Sequence, residues 1–253
     1  MNRNHQFLSL LKDMDKEFSG WDFSFISGTG RMNSGLLSWS YGSMVRTLIH
    51  QASTMLDMGT GGGEFLSLLR PFPLTVFATE GYKPNVPVAK KRLEPLGVHV
   101  VSIEDDDHLP FPDQQFDLII NQHESYSPRE VRRIIKDRGI FLTQQVGGFD
   151  CIQINEALGT SINSEYENWN LQSAVAELEK NHFKIVYSKE EFPVQRFYDI
   201  GAFVYYLKAI PWQVPDFSVG KYGQKLYEIH QMIQEKGFFD VKQHRFIIKA
   251  EAI

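Results

Sequence analysis

Residues 54–69 read TMLDMGTGGGEFLSLL, with glycines crowded between an apolar run and an amphipathic one. Glycine weakens helix and strand interiors, so a cluster between two periodic segments marks a loop that needs bare backbone. The pattern is D-x-G-x-G-x-G, formed by Asp57, Gly59, Gly61 and Gly63, with Thr60 inside it. At the end of an apolar strand such a loop accepts positive φ angles and lets a ligand reach the main chain. Ligands of open α/β sheets sit at the carboxyl ends of strands where strand order reverses, and the first strand usually flanks that point. The loop therefore predicts a site for a nucleotide-like cofactor.

The surrounding chain alternates regularly. Short apolar stretches at 54–58, 75–79, 98–102, 116–121 and 139–146 read as strands, with helical segments near 63–70, 85–94 and 128–136 between them. Alternating βα units imply a mostly parallel sheet with helices on both faces. Upstream, Phe7, Leu10, Leu11, Met14 and Phe18 mark one amphipathic helix. Leu37, Tyr41, Met44, Val45 and Leu48 mark a second. Downstream, Leu171, Ala174, Val175 and Leu178 define a helix leading to a strand at 183–188. The aromatic-rich segment 192–237 predicts a helical insertion in two pieces, and a final strand at 241–250 runs antiparallel. With no repeat or long linker, the chain reads as a single domain of residues 1–253. In it, 1–50 supply N-terminal helices and a lid, 51–150 the cofactor-binding core, and 192–237 a substrate cap.

Bulk properties narrow the classes. The 253 residues are 42% hydrophobic and 23% charged, the composition of an ordinary globular protein with a sizeable core. A net charge of −5 argues against a bulk nucleic-acid binder. Cys151 is the sole cysteine, which leaves no intrachain disulfide and no cysteine-based zinc site. Charges interrupt the apolar positions of the first residues, and no apolar run approaches the ~18 residues of a membrane span. These features predict a cytoplasmic location.

The choice of cofactor turns on the acids. A dinucleotide loop, G-x-G-x-x-G, would place its third glycine at Glu64, and a carboxylate there has the wrong sign for a pyrophosphate. This speaks against a nicotinamide-dependent oxidoreductase. A cationic ligand suits Asp57 and the nearby carbonyls. Glu80, ending the second strand before Gly81, can accept hydrogen bonds from both ribose hydroxyls. Asp105 or Asp106, in EDDDHLPFPDQQFD, can accept from the exocyclic amine of adenine, whereas Asp107 reads as surface.

LDMGTGGGEF, ATEGY, DDDHLPFPDQQFDLII and IFLTQQV, in that order over roughly 50–150, resemble the class I S-adenosylmethionine-dependent methyltransferases, especially the type-11-like branch. The resemblance implies a Rossmann-like sheet and S-adenosyl-L-methionine as cofactor. Asp57, Gly59 and Gly61 would line its methionine part, Glu80 its ribose, and Asp105 with Asp106 its adenine. Asn121 would border the transferring methyl group. One departure is KDRGI, residues 136–140, where the family often has a Pro-Gly-Gly turn, so that turn is expected to be reshaped.

The methyl acceptor is less legible. NQHE, residues 121–124, lacks the prolines of the [DN]-P-P-[YFW] turn found in many enzymes acting on base amines or glutamine amides. A small-molecule acceptor therefore ranks first, with RNA methylation and a non-catalytic cofactor-binding module as alternatives. His123 is the one candidate general base, set against a role in shaping the pocket. Glu124 reads as a helix-start or surface charge, and Tyr126 as cavity wall or packing. Phe192, Phe197, Tyr198, Tyr205, Tyr206 and Trp212 either wall a substrate pocket or form core. Trp21, Phe23, Phe25 and Arg31 read as a lid or a packed loop.

Overall fold

A computed structural model describes residues 3–12, 18 and 23–253. Met14 and Trp21 lie outside the described residues. In chain order the elements are α1 (Arg3–Leu11), α2 (Ser24–Ser27), β1 (Met32–Ser34), α3 (Tyr41–Ile49), β2 (Thr54–Met58), α4 (Glu64–Ser67) and β3 (Thr75–Glu80). Then come α5 (Val86–Leu93), β4 (Val98–Ser102), β5 (Phe116–Gln122), α6 (Pro128–Ile134), β6 (Ile135–Val146) and α7 (Ile152–Leu158). The chain ends with α8 (Leu171–Lys180), β7 (Phe183–Glu191), β8 (Val194–Phe197), α9 (Ile200–Ala209), α10 (Val219–Lys236), β9 (Phe239–Lys242) and β10 (Arg245–Ala252).

These elements fall into two compact units, one of Ser38–Val146, Trp169–Glu190 and Arg245–Ile253, the other of Met1–Leu37, Gly147–Asn168 and Glu191–His244. The first contains a seven-stranded sheet in the order β4-β3-β2-β5-β6-β10-β7. Strands β2 to β6 pair in parallel, while β10 is antiparallel to β6. The chain moves outward from β2 through β3 to β4, then returns to β5 on the other side of β2. Strand order thus reverses between β2 and β5, where Asp57 is in register with Ile120 and Met58 with Asn121. The core beneath is built from Leu56, Ile119, Phe116, Phe141 and Phe246, all fully buried. Each such side chain contributes about 1.5–3 kcal/mol relative to exposure.

The five expected core strands form. The helix expected over 63–70 is a single turn, because Pro71 disfavours helical backbone at the residue before it. KDRGI, residues 136–140, lies within β6. β6 begins at Ile135, directly after α6, and bulges so that Phe116 faces Ile135 while Leu118 faces Ile140.

The second unit holds an antiparallel sheet, β1-β8-β9, with α9 almost wholly buried beside it. Asp199 caps α9 by accepting the Ala202 N–H at 2.9 Å and is clamped by two 2.7 Å hydrogen bonds from Arg31. Two corrections follow. The final strand expected over 241–250 is two strands in different sheets, since apolar periodicity alone could not see the break at Gln243 and His244. The insertion 192–237 contains its two helices but opens with the strand β8. Among its aromatics Phe197, Tyr205 and Tyr206 are core, while Phe192, Tyr198 and Trp212 are exposed. Phe23 and Phe25 pack on Tyr206 and Tyr205 within the same unit.

Candidate cofactor site at the strand-order reversal

The site grows from the carboxyl ends of β2, β3 and β5. After Met58 the chain turns through Gly59 and Gly61, whose φ angles are +67° and +62°, a region that residues with a Cβ rarely occupy. The turn is tied to β3 by the Thr60 N–H, which donates to the Thr79 carbonyl at 2.9 Å. The two glycines differ in what their bare Cα atoms face. A Cβ at Gly61 would meet nothing within 4 Å, which leaves that side open to a ligand. A Cβ at Gly59 would lie 2.3 Å from Glu124 Cγ, so that side is already filled by the chain itself.

Acids surround the loop. Asp57 and Glu80 are each only 5% exposed, at the ends of β2 and β3. Desolvation pushes the Asp57 carboxyl up to about 7. The Thr60 hydroxyl tempers the rise without reaching good hydrogen-bond geometry, and the Glu80 charge adds to it. Glu80 is also raised by desolvation, tempered by main-chain donors including the Tyr82 N–H at 2.7 Å. Beyond β4, the sequence left Asp105 and Asp106 equivalent, and the structure separates them. Asp105 is exposed and closes its own turn, accepting the N–H groups of Asp107 and His108 at 2.9 Å. Asp106 is partly buried, accepts from the Ser125 hydroxyl, and is raised by desolvation against that hydrogen bond. The Gly81 N–H is another of the donors that temper Glu80, and the Asp107 charge adds to the rise at Asp106. Glu64 lies beside Gly62 and pairs with Arg92 of α5.

Near the end of β5, Asn121 is fully buried. Its Oδ1 accepts from Thr143 Oγ1 at 2.8 Å and from Gln145 Nε2 at 2.6 Å. Its amide is thus held in a β5–β6 network beneath the loop. Gln145 Nε2 also donates to the Glu124 carbonyl at 2.9 Å, which fixes the chain after β5.

His123 follows in a left-handed conformation, φ +60°. Its surroundings define its proton. The Trp39 indole, which can only donate, places its N–H 2.7 Å from Gln144 Oε1, so Gln144 turns its NH₂ toward His123 Nε2, 3.1 Å away. Nε2 is then an acceptor, and the neutral ring carries its hydrogen on Nδ1. Desolvation, with the Arg245 cation adding, holds the imidazole well below its ordinary pKa. Its basic nitrogen is thus already engaged.

Three features escaped the sequence reading. Glu124 is exposed, as a surface charge would be, and not a helix start, but its side chain lies on Gly59, and desolvation with the charges of Asp106 and Glu80 raises it to about 7. Tyr41, the first residue of α3, is buried with its hydroxyl near Asp57 and without a hydrogen-bond partner. The Trp39–Gln144–His123 relay is the third, and the polar TQQ ending the apolar strand IFLTQQV was its visible trace. Tyr126 packs edge-on against Phe141 and Trp169. Among the described residues no group of His, Cys, Asp or Glu is arranged to hold a metal ion, and no helix is long and apolar enough to cross a membrane.

Residues 56–143 match the family model of a methyltransferase domain. The uncharacterized methyltransferase YcgJ of Bacillus subtilis is 30% identical over 111 residues, a match spanning 40% of this chain and 44% of YcgJ. Superposed on the solved YcgJ structure, 83% of this chain covers 97% of that one with a TM-score of 0.59 at 14% identity. A SAM-dependent methyltransferase from Aquifex aeolicus gives a TM-score of 0.51 at 15% identity, with 92% and 100% covered. The [4+2]-cyclase SpnF gives 0.50 at 17%, with 87% and 84% covered. With the glycine loop, its acids and the strand order in place, residues 56–143 are thus similar to the methyltransferase domain family, on a fold shared with S-adenosylmethionine-dependent methyltransferases.

Proposed function

We propose that the protein binds S-adenosyl-L-methionine at the Gly59–Gly61 loop and transfers its methyl group to a small-molecule acceptor by in-line displacement. The carrying observation is a ring of acids, Asp57, Glu80, Asp106 and Glu124, around bare backbone at the strand-order reversal, with no ion-pair partner for any of them among the described residues. Acids crowded together with raised pKa values and no cation, two of them buried, are poised for a ligand that brings positive charge. The orphaned Tyr41 hydroxyl supports the same reading, because a buried donor without a partner costs stability unless a ligand satisfies it.

In this reading Glu80 holds the ribose hydroxyls, Asp106 rather than Asp105 faces the adenine amine, and Asp57 with Tyr41 holds the amino-acid end. The cofactor would supply an electrophilic methyl group. The chain's own contribution is orientation and exclusion of water, which favour displacement more than strong charge stabilisation at sulfur would. The Trp39–Gln144 relay makes His123 a fixed hydrogen-bond donor through Nδ1, which suits it to hold an acceptor oxygen or amine more than to take a proton. The acidic surround repels a phosphate backbone, which favours a small acceptor over RNA.

Because a cyclase shares the fold, transfer itself must be measured. Purified protein is incubated with methyl-labelled cofactor and fractionated metabolite extracts. Label appearing in a small-molecule fraction supports the proposal, whereas cofactor binding without transfer to any fraction refutes the catalytic part of it.

A further inference from the structure

None of the roles above uses the Glu124 side chain. Its placement is deliberate in the sense that several independent contacts produce it. The His123 N–H donates to the Gln144 carbonyl at 2.8 Å, and the left-handed φ of His123 then turns the chain back over the glycine loop. Gln145 fixes the Glu124 carbonyl, Asn121 Nδ2 reaches the Ser125 carbonyl at 3.4 Å, and the Ser125 hydroxyl is anchored on Asp106. The main chain is therefore held on both sides of Glu124 while its carboxylate lies on Gly59, with Cβ, Cγ and Cδ all within 2.8 Å of where a glycine Cβ would be. Any other residue at position 59 would evict it.

Around that carboxylate the charged and titratable groups are Asp106 from the loop after β4, Glu80 from β3 and Asp57 from β2. Tyr41 of α3 flanks Asp57, and the neutral His123, with Arg245 near it, belongs to the same loop. No cation pairs with Glu124 among the described residues. The unpartnered, buried Tyr41 hydroxyl beside Asp57 is a separate sign that a ligand completes this pocket. Ribose, adenine amine and amino-acid end account for Glu80, Asp106 and Asp57, which leaves one acid in excess of those needs.

We propose that Glu124 is the charge-selective residue of the site: seated on Gly59, it favours the sulfonium form of the cofactor over the neutral thioether that remains once the methyl group has left. This rests on the cofactor reading above. A carboxylate near sulfur attracts the substrate form, which carries one more positive charge, and has no such hold on the product. It thereby aids exchange of product for fresh cofactor. Gly59 is bare so that this side chain can reach the loop, and Gly61 is bare so that the ligand can.

The test is calorimetric titration of the full chain at pH 8 with S-adenosylmethionine and, separately, S-adenosylhomocysteine, for the wild type, Glu124→Gln and Glu124→Asp. Glu124→Gln should weaken the sulfonium ligand at least about fivefold and the thioether less than about twofold, with Glu124→Asp between. Equal changes for both ligands, or none for either, would overturn the role of Glu124 while leaving the cofactor site intact. Failure of the wild type to bind either ligand would remove the cofactor reading and this inference together. Should Glu124→Gln not fold, as judged by circular dichroism, the two ligand affinities of Glu124→Ala decide by the same criterion.

Discussion

Strand β5 has a carboxylate near each end, and the two live in opposite worlds. Asp117, near its start, is also desolvated, but Lys136 at 2.7 Å, the Thr54 hydroxyl and the N–H groups of Thr54 and Ser53 outweigh this and lower its pKa. Glu124, just past its end, is raised to about 7 among other acids. Glu130 resembles the first case, lowered by its hydrogen bonds with Arg133 and further by the Leu109 N–H. The lesson is that Asp117 and Glu130 are paired where they serve the fold, whereas the acids around the glycine loop have no cation among the described residues. In the proposed function, the unpaired acids at that end of the sheet await a ligand rather than mark poor packing.

The comparison breaks most visibly at Glu80. Glu80→Ala should cost cofactor affinity about 1–3 kcal/mol, or roughly five- to 150-fold, through the loss of charged hydrogen bonds, measured by calorimetry. An unchanged affinity would show that Glu80 holds no part of the ligand. Asp117→Ala, at the other end of the sheet, should do the reverse. It should lower stability by about 1–2 kcal/mol, a fall of a few degrees in thermal midpoint, with cofactor affinity unaltered. Because the Asp117 pKa is depressed, its contribution is present above the ordinary carboxylate range near 4 and is lost as pH falls through its lower folded value. The stability gap between wild type and Asp117→Ala should therefore close in strong acid.

A smaller effect separates the two ends by pH. Asp57 and Glu124, with values near 7, are largely protonated at pH 6 and ionised at pH 8, while the lowered His123 stays neutral throughout. Ionised acids favour a cation, so affinity for S-adenosylmethionine should rise over that interval by up to about tenfold. The neutral-sulfur product should follow less steeply. Affinity that falls with rising pH would invert the sign and contradict the raised acids. The smallest change is expected at Asp105. Asp105→Asn leaves affinity within about twofold because that side chain serves its own turn, whereas Asp106→Asn weakens it clearly.

Much of this was visible in the sequence, for physical reasons. The strands β2 to β5 announce themselves by short apolar runs, and the glycines by a need that only positive φ or close approach explains. Asp57 and Glu80 were legible because strand ends at the order reversal are fixed by topology. Glu124 was not, since its position depends on a left-handed histidine and on amides from β6, contacts that no local pattern encodes. Asp105 and Asp106 could not be told apart because adjacent residues in a loop share no periodicity. β9 and β10 merged into one expected strand because alternation persists across the break at Gln243 and His244, where the Gln243 N–H turns to the Pro193 carbonyl and the His244 N–H to Asp150.

The most direct measurement is a crystal structure of the protein soaked with S-adenosylhomocysteine. Density should show the ribose hydroxyls on the Glu80 carboxylate, the adenine amine toward Asp106, and the thioether on the open side of Gly61 with Glu124 still lying on Gly59. A nucleoside bound away from this loop, or within it but facing none of these acids, would contradict the account.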